Sequence, residues 1–206
     1  MPLVDRVAAA LAGLDLPIPF PVLSVTRIFD RLSSVSGLVR AEEALGHIRS
    51  VIRERGIVDS EQEILTLLIL GRDSLLSSLG ASLATAFEQM RKSGSEHLTL
   101  TSPYPSTGVA VAERVAQCPH SLGQVSLAAD DRVRIYLQPL NGIGGATLPI
   151  FGAGAHACLG RMIALDVWNA MAKCLAGLRR RVTKVEVKYA RSNIFFMPES
   201  LKVDFE

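Results

Sequence analysis

Apolar positions recur along this chain first at a helical spacing, then at a strand spacing, then at a helical spacing again. Between residues 22 and 35, Val22, Val25, Ile28, Phe29 and Leu32 fall on one side of a short amphipathic helix. Residues 38–55 repeat the rhythm, with Leu38, Ala41, Leu45, Ile48 and Ile52 on one face, charges on the other and Gly56 as the stop. The tetrapeptide Ser60–Glu63 has capping-box form, because a serine hydroxyl and a glutamate carboxylate three residues on can satisfy amide donors at a helix start. The longest helix is expected from here to about residue 91. Its apolar positions cover most of the circumference, so it should be buried, which raises the question of what Arg72, Asp73 and Ser74 do in its middle.

From residue 92 to 150 the pattern turns to Gly, Pro and Ser punctuation around short alternating runs at 109–116, 123–128 and 132–138, and a small strand region is expected. Helical spacing returns over 159–178, with Leu159, Ile163, Val167, Ala170, Met171 and Leu175 on one side, and Arg179–Arg181 suit the negative end of that helix dipole. Residues 182–189 alternate as a strand that 199–205 could pair with. The prolines at 17, 19 and 21 form a stiff connector, and no internal repeat or low-complexity tract is present.

Composition narrows the class. The chain has 206 residues, 49% of them hydrophobic and only 5% aromatic, which suits helices packed through Leu, Ala and Val. A formal charge of +2 argues against a general nucleic-acid binder. The apolar stretch at 7–14 is short and is followed by Asp15 and the prolines, so neither a membrane span nor a signal peptide is expected. Three cysteines at unpatterned spacing fit a reducing cytoplasm better than a disulfide framework. Cys118 and Cys174 are assigned to packing.

Cys158 is different. It stands among glycines and alanines ahead of an apolar helical stretch, where backbone amides and the helix dipole favour a thiolate and where glycines let a flat ligand approach. A zinc site from Cys118, His120, His156 and Cys158 matches no closed structural spacing. His47 and His97 read as surface histidines.

Phe151, Gly152, Gly154, His156, Cys158 and Gly160, with Ala164 after them, resemble the haem-binding signature of the cytochrome P-450 family. The resemblance implies haem b with Cys158 as the axial thiolate on iron, Phe151 shielding the sulfur and His156 bonding a propionate. Upstream, residues 70–74 are similar to the distal helix motif of that family, with Asp73 as the acid and Ser74 as the alcohol where Thr is usual. Residues 112–137 resemble the strand hairpin whose Arg meets a propionate, which makes Arg114 the candidate, and residues 191–205 look like the closing β-hairpin.

The sequence also departs from the family. Residues 96–105 resemble its Glu-x-x-Arg helix and turn, yet Thr99 stands where Arg belongs, while Glu88–Arg91 keep the literal spacing in the wrong place. The N-terminal half, including the helix whose Trp and Arg grip a propionate, has no counterpart, and residues 140–151 are shorter than the equivalent meander.

The resemblance implies a single mainly α domain with a small β region, a much reduced C-terminal haem-binding half of that fold. Its parts are short N-terminal helices over 1–58, the long distal helix over 60–91, the β region over 92–150, and the Cys loop, helix and hairpin over 151–206. It implies a haem-thiolate oxidoreductase of monooxygenase or peroxygenase type acting on a small organic substrate, with a ferredoxin-type donor or with peroxide. A homodimer or a partner chain is expected to cover the haem edge left open. The alternatives are a non-catalytic relative that stabilises another biosynthetic enzyme, and a haem protein with sensing or non-redox chemistry.

Overall fold

The computed structural model describes residues 22–56, 61–66, 70–100, 107–137 and 151–206, with residues 6 and 10 in isolation. A 3₁₀ helix, Val22–Phe29, leads into helix α1, Val35–Glu54. The expected helix over 22–35 stops early for a local reason: Asp30 Oδ1 accepts the Leu32 amide at 2.9 Å, which turns the chain. Ser34 then caps α1 by accepting the Gly37 amide at 3.1 Å. The buried stripe of α1 is Ala41, Ala44, Ile48 and Ile52, while Leu38 is 42% exposed. Ser34→Ala should lower stability by about 1 kcal/mol, read as a lower urea midpoint at unchanged slope.

Of the single helix expected over 60–91, all the described residues from 61 are helical, with a change of helical type before Arg72. The short helix α2, Glu61–Thr66, precedes a π-helical turn at Leu70 and Gly71, and α3 runs Arg72–Ser93. Ser60 and residues 67–69 lie outside the described residues. Gly94, at φ +64°, ends α3 in the left-handed conformation that glycine adopts without strain. The burial expected of this helix is observed: Ser77, Ser78, Leu79, Ala81, Ser82, Ala84, Ala86, Phe87 and Met90 are all enclosed. Small residues on one side let neighbours come close. A Cβ on Gly108 would meet the Ser77 backbone carbon at 2.1 Å, and one on Gly80 would meet Pro198 at 3.1 Å.

The strands form three two-stranded antiparallel ribbons. β1, Val111–Val115, pairs with β4, Arg132–Tyr136, placing Arg114 opposite Val133 and Glu113 opposite Arg134. β2, His120–Leu122, and β3, Val125–Leu127, form a hairpin between them, and β2 is the strand that the alternation did not disclose. β5, Val182–Tyr189, pairs with β6, Pro198–Phe205, as expected.

Helix α4, Arg161–Leu175, completes the fold. Two apolar clusters hang on α3. Toward its C-terminal end, Phe87 and Met90 meet Leu98, Val182 and the β5–β6 ribbon. Nearer its start, Leu79 meets the fully buried Trp168 of α4, with Phe151 and Ala164 packed beside them. Cys118 and Cys174 are solvent-exposed, not packed, the first in the turn after β1 and the second on the last turn of α4. Among the described residues no helix is long and apolar enough to cross a membrane.

Candidate functional site

The cysteine loop runs from Phe151 into α4 and is shaped by its glycines. Gly152, at φ +68°, brings the chain so close to itself that a Cβ there would stand 2.4 Å from the His156 carbonyl oxygen. Gly154 is also left-handed, at φ +57°, and opens a single 3₁₀ turn, Gly154–His156. The Cys158 amide donates to the Phe151 carbonyl at 2.7 Å, closing the loop, and the Arg161 amide caps the Cys158 carbonyl at 3.3 Å. Residues 152–159 are all exposed, so the Cys158 thiol is open to solvent. Phe151 is half-buried against the Trp168 cluster, with the Arg161 guanidinium 5.9 Å above its ring. Gly152→Ala should loosen this loop by about 1–3 kcal/mol, read as faster hydrogen exchange at the Cys158 amide while α3 stays protected.

Two of the sequence candidates meet. His156 from the loop and Arg114 from β1 line one open cavity of about 860 Å³. Arg31, Arg132 and Arg134 line it too, so four arginines face one glutamate, Glu113, a surplus of three positive charges. Such a basin attracts carboxylates. Arg134 bonds Glu113, and that bond, with the nearby Arg31 and Arg132 charges, holds the Glu113 carboxyl below its ordinary range. Sequence reasoning missed Arg31 and Arg134. Arg134 had a signal in the alternating charges of β4; Arg31 had none, since it meets Glu113 across 82 positions of sequence.

The distal pair is placed differently. Asp73 is fully buried: Thr26 donates to Oδ2 at 2.7 Å, and Arg72 donates to Oδ1 at 2.5 Å. Burying Arg72 and Asp73 is tolerated because each charge has a partner. Ser74 is half-buried, one residue before Leu75 and Leu76, which pack in the cluster that holds Phe151. The start of α3 and the cysteine loop thus border one core. The literal Glu88 and Arg91 form a two-bond pair at 2.8 and 2.7 Å near the end of α3, and this pair lowers the Glu88 carboxyl. Glu96 and Thr99 are exposed, and the Ser-Pro sequel at 102–103 lies outside the described residues, as does most of 140–151.

These residues fit a haem better than a metal ion held by side chains alone. Among the described residues no three His, Cys, Asp or Glu side chains gather as a metal centre, so Cys118, His120, His156 and Cys158 form no zinc site. One soft thiol stands clear, and a Cβ added at Gly160 would come no nearer than 3.8 Å to its sulfur. The basin beside it carries the charge that two carboxylates need.

No family model matches the sequence, and no curated protein matches it. Solved structures do. The chain superposes on CalO2 with a TM-score of 0.69 at 18% identity, covering 99% of this chain and 65% of that one. It superposes on P450BioI, solved with an acyl carrier protein bearing hexadec-9Z-enoic acid, with a TM-score of 0.68 at 17% identity, covering 99% of this chain and 66% of that one. A thermophilic cytochrome P-450 from Sulfolobus tokodaii gives a TM-score of 0.66 at 16% identity, covering all of this chain and 67% of that one. The chain thus spans about two thirds of the length of these neighbours. Over essentially its whole length, it has the cytochrome P-450 fold.

Proposed function

We propose that the chain is a compact haem-thiolate protein, an oxidoreductase of monooxygenase or peroxygenase type acting on a small organic substrate. The observation that supports this most is the pairing of an open thiol, Cys158, with a cationic basin shared by His156 and Arg114. Bound there, haem would supply the oxidising chemistry. Cys158 Sγ would hold the iron, and Phe151, packed behind the loop, would keep water from the sulfur. Gly152, Gly154 and Gly160 would keep the backbone shaped and clear of the ring. His156 and Arg114 would hold the two carboxylates, and the surplus of basin charge would favour their entry. Asp73, held by Arg72 and Thr26, would be the acid of the proton relay, and the Ser74 hydroxyl its alcohol.

Electrons would come from a ferredoxin-type partner, or peroxide would replace them. The carrier-protein complex of P450BioI supports a carrier-tethered substrate as one class to test. Leu159, fully exposed, and Met162, 66% exposed, give a homodimer or a partner chain an apolar surface to cover beside the loop. Three exposed free thiols suit a reducing cytoplasm. The same exposure favours the second reading, a non-catalytic relative that stabilises another enzyme. Peroxide-driven oxidation of a panel of small substrates by the haem-loaded chain separates the two. Turnover that Ser74→Ala slows supports the enzyme; a chain that takes up no haem supports the second reading.

A further inference from the structure

Glu113 is a carboxylate held by two arginines on the basin that also receives His156 and Arg114. Arg31, just past the first 3₁₀ helix, reaches its Oε1 at 3.2 Å, and Arg134, its register partner on β4, bonds the same oxygen through Nε at 3.1 Å. The Arg31 and Glu113 side chains are 59% and 53% exposed, so solvent screens the contact and it adds little to fold stability. A long-range contact of little structural value, on a basin with three charges to spare, invites another use.

We propose that Arg31 and Glu113 form a carboxylate-exchange pair: Glu113 holds Arg31 in place until a haem carboxylate takes the guanidinium over. The inference rests on the haem reading above. Arg31 has an anionic partner before and after the exchange, and Glu113 keeps Arg134, so neither charge is stranded. An arginine from the N-terminal segment thereby serves a carboxylate edge that otherwise has only His156 and Arg114 among the sequence-derived anchors. Arg31 is a cofactor-positioning residue, and Glu113 is its competitor.

Competition predicts effects of opposite sign. Haem binding by the full chain would be followed by Soret absorbance for wild type, Arg31→Ala, Arg31→Lys and Glu113→Gln, with far-UV circular dichroism confirming that each is folded. Arg31→Ala should weaken haem binding about tenfold, Arg31→Lys should recover part of the loss, and Glu113→Gln should tighten binding about threefold. With haem dimethyl ester, whose carboxylates are blocked, all four proteins should bind alike. Wild-type affinity in Arg31→Ala, or the same loss with the ester, overturns the exchange and leaves the haem reading standing. A wild-type chain that takes up neither haem nor its ester overturns both.

Discussion

Replacing Cys158 with alanine should abolish the long-wavelength Soret band of the haem-supplemented chain after reduction under carbon monoxide. That band requires a thiolate on the iron, and the loop presents one sulfur, closed in place by the bond from the Cys158 amide to the Phe151 carbonyl. The basin carbons and cations remain, so the variant should still take up some haem, with a shorter-wavelength band. Cys118→Ala and Cys174→Ala are the internal controls, since both thiols are exposed and lie outside the loop of residues 151–160, and neither change should shift the spectrum. A long-wavelength band that persists in the Cys158 variant would overturn the haem-thiolate reading, because no other thiol is placed to replace it within residues 151–160.

Trp168→Ala should cost about 3–5 kcal/mol, a large share of the roughly 5–15 kcal/mol that holds a domain of this size together. The indole is fully buried between α4 and Leu79 of α3, and Phe151 and Ala164 pack on the same cluster. Its removal leaves a cavity in a core that the distal helix and the cysteine-loop helix share. The measurement is urea unfolding followed by far-UV circular dichroism, since the chain has a single tryptophan and the variant loses its intrinsic fluorescence. Trp168→Phe, which refills much of the space, should recover more than half of the loss. A midpoint for Trp168→Ala within experimental error of wild type would mean that the two helices are held together elsewhere.

The elements that the sequence disclosed are those whose periodicity is local. The alternation over residues 182–189 and 199–205 gave the β5–β6 ribbon, and the aliphatic spacing after Cys158 gave α4, both within a few residues of the observed bounds. The loop was legible because its Phe, Gly, His and Cys positions form a recognisable motif, and the left-handed backbone at Gly152 and Gly154 accounts for two of its glycines. The π-helical turn before Arg72 was not legible, since the aliphatic residues before and after it continue the same pattern. The exposure of Cys118 and Cys174 was missed because a small apolar side chain has no local mark of which way it faces. Beyond Arg114 and His156, the only local trace of the basin was the charge alternation of β4. Its charge depends on which arginines the fold gathers from positions 31, 132 and 134, and that is a property of tertiary packing.

The first 3₁₀ helix is tied to the other end of the chain. Arg27 donates to the Arg191 carbonyl at 2.8 Å, and Asp30 accepts the Asn193 amide at 3.4 Å, across 164 and 163 positions. At a synthesis rate of about 5–20 residues per second, the N-terminal segment waits roughly 8–30 s on the ribosome for these partners. During that wait the segment lacks both bonds, and its Ile28, Phe29, Leu32 and Val35 side chains are exposed even in the finished fold. This late-closing segment therefore offers a chaperone a holding site while residues 31–193 are being made, and yield in a cell should respond to chaperone supply.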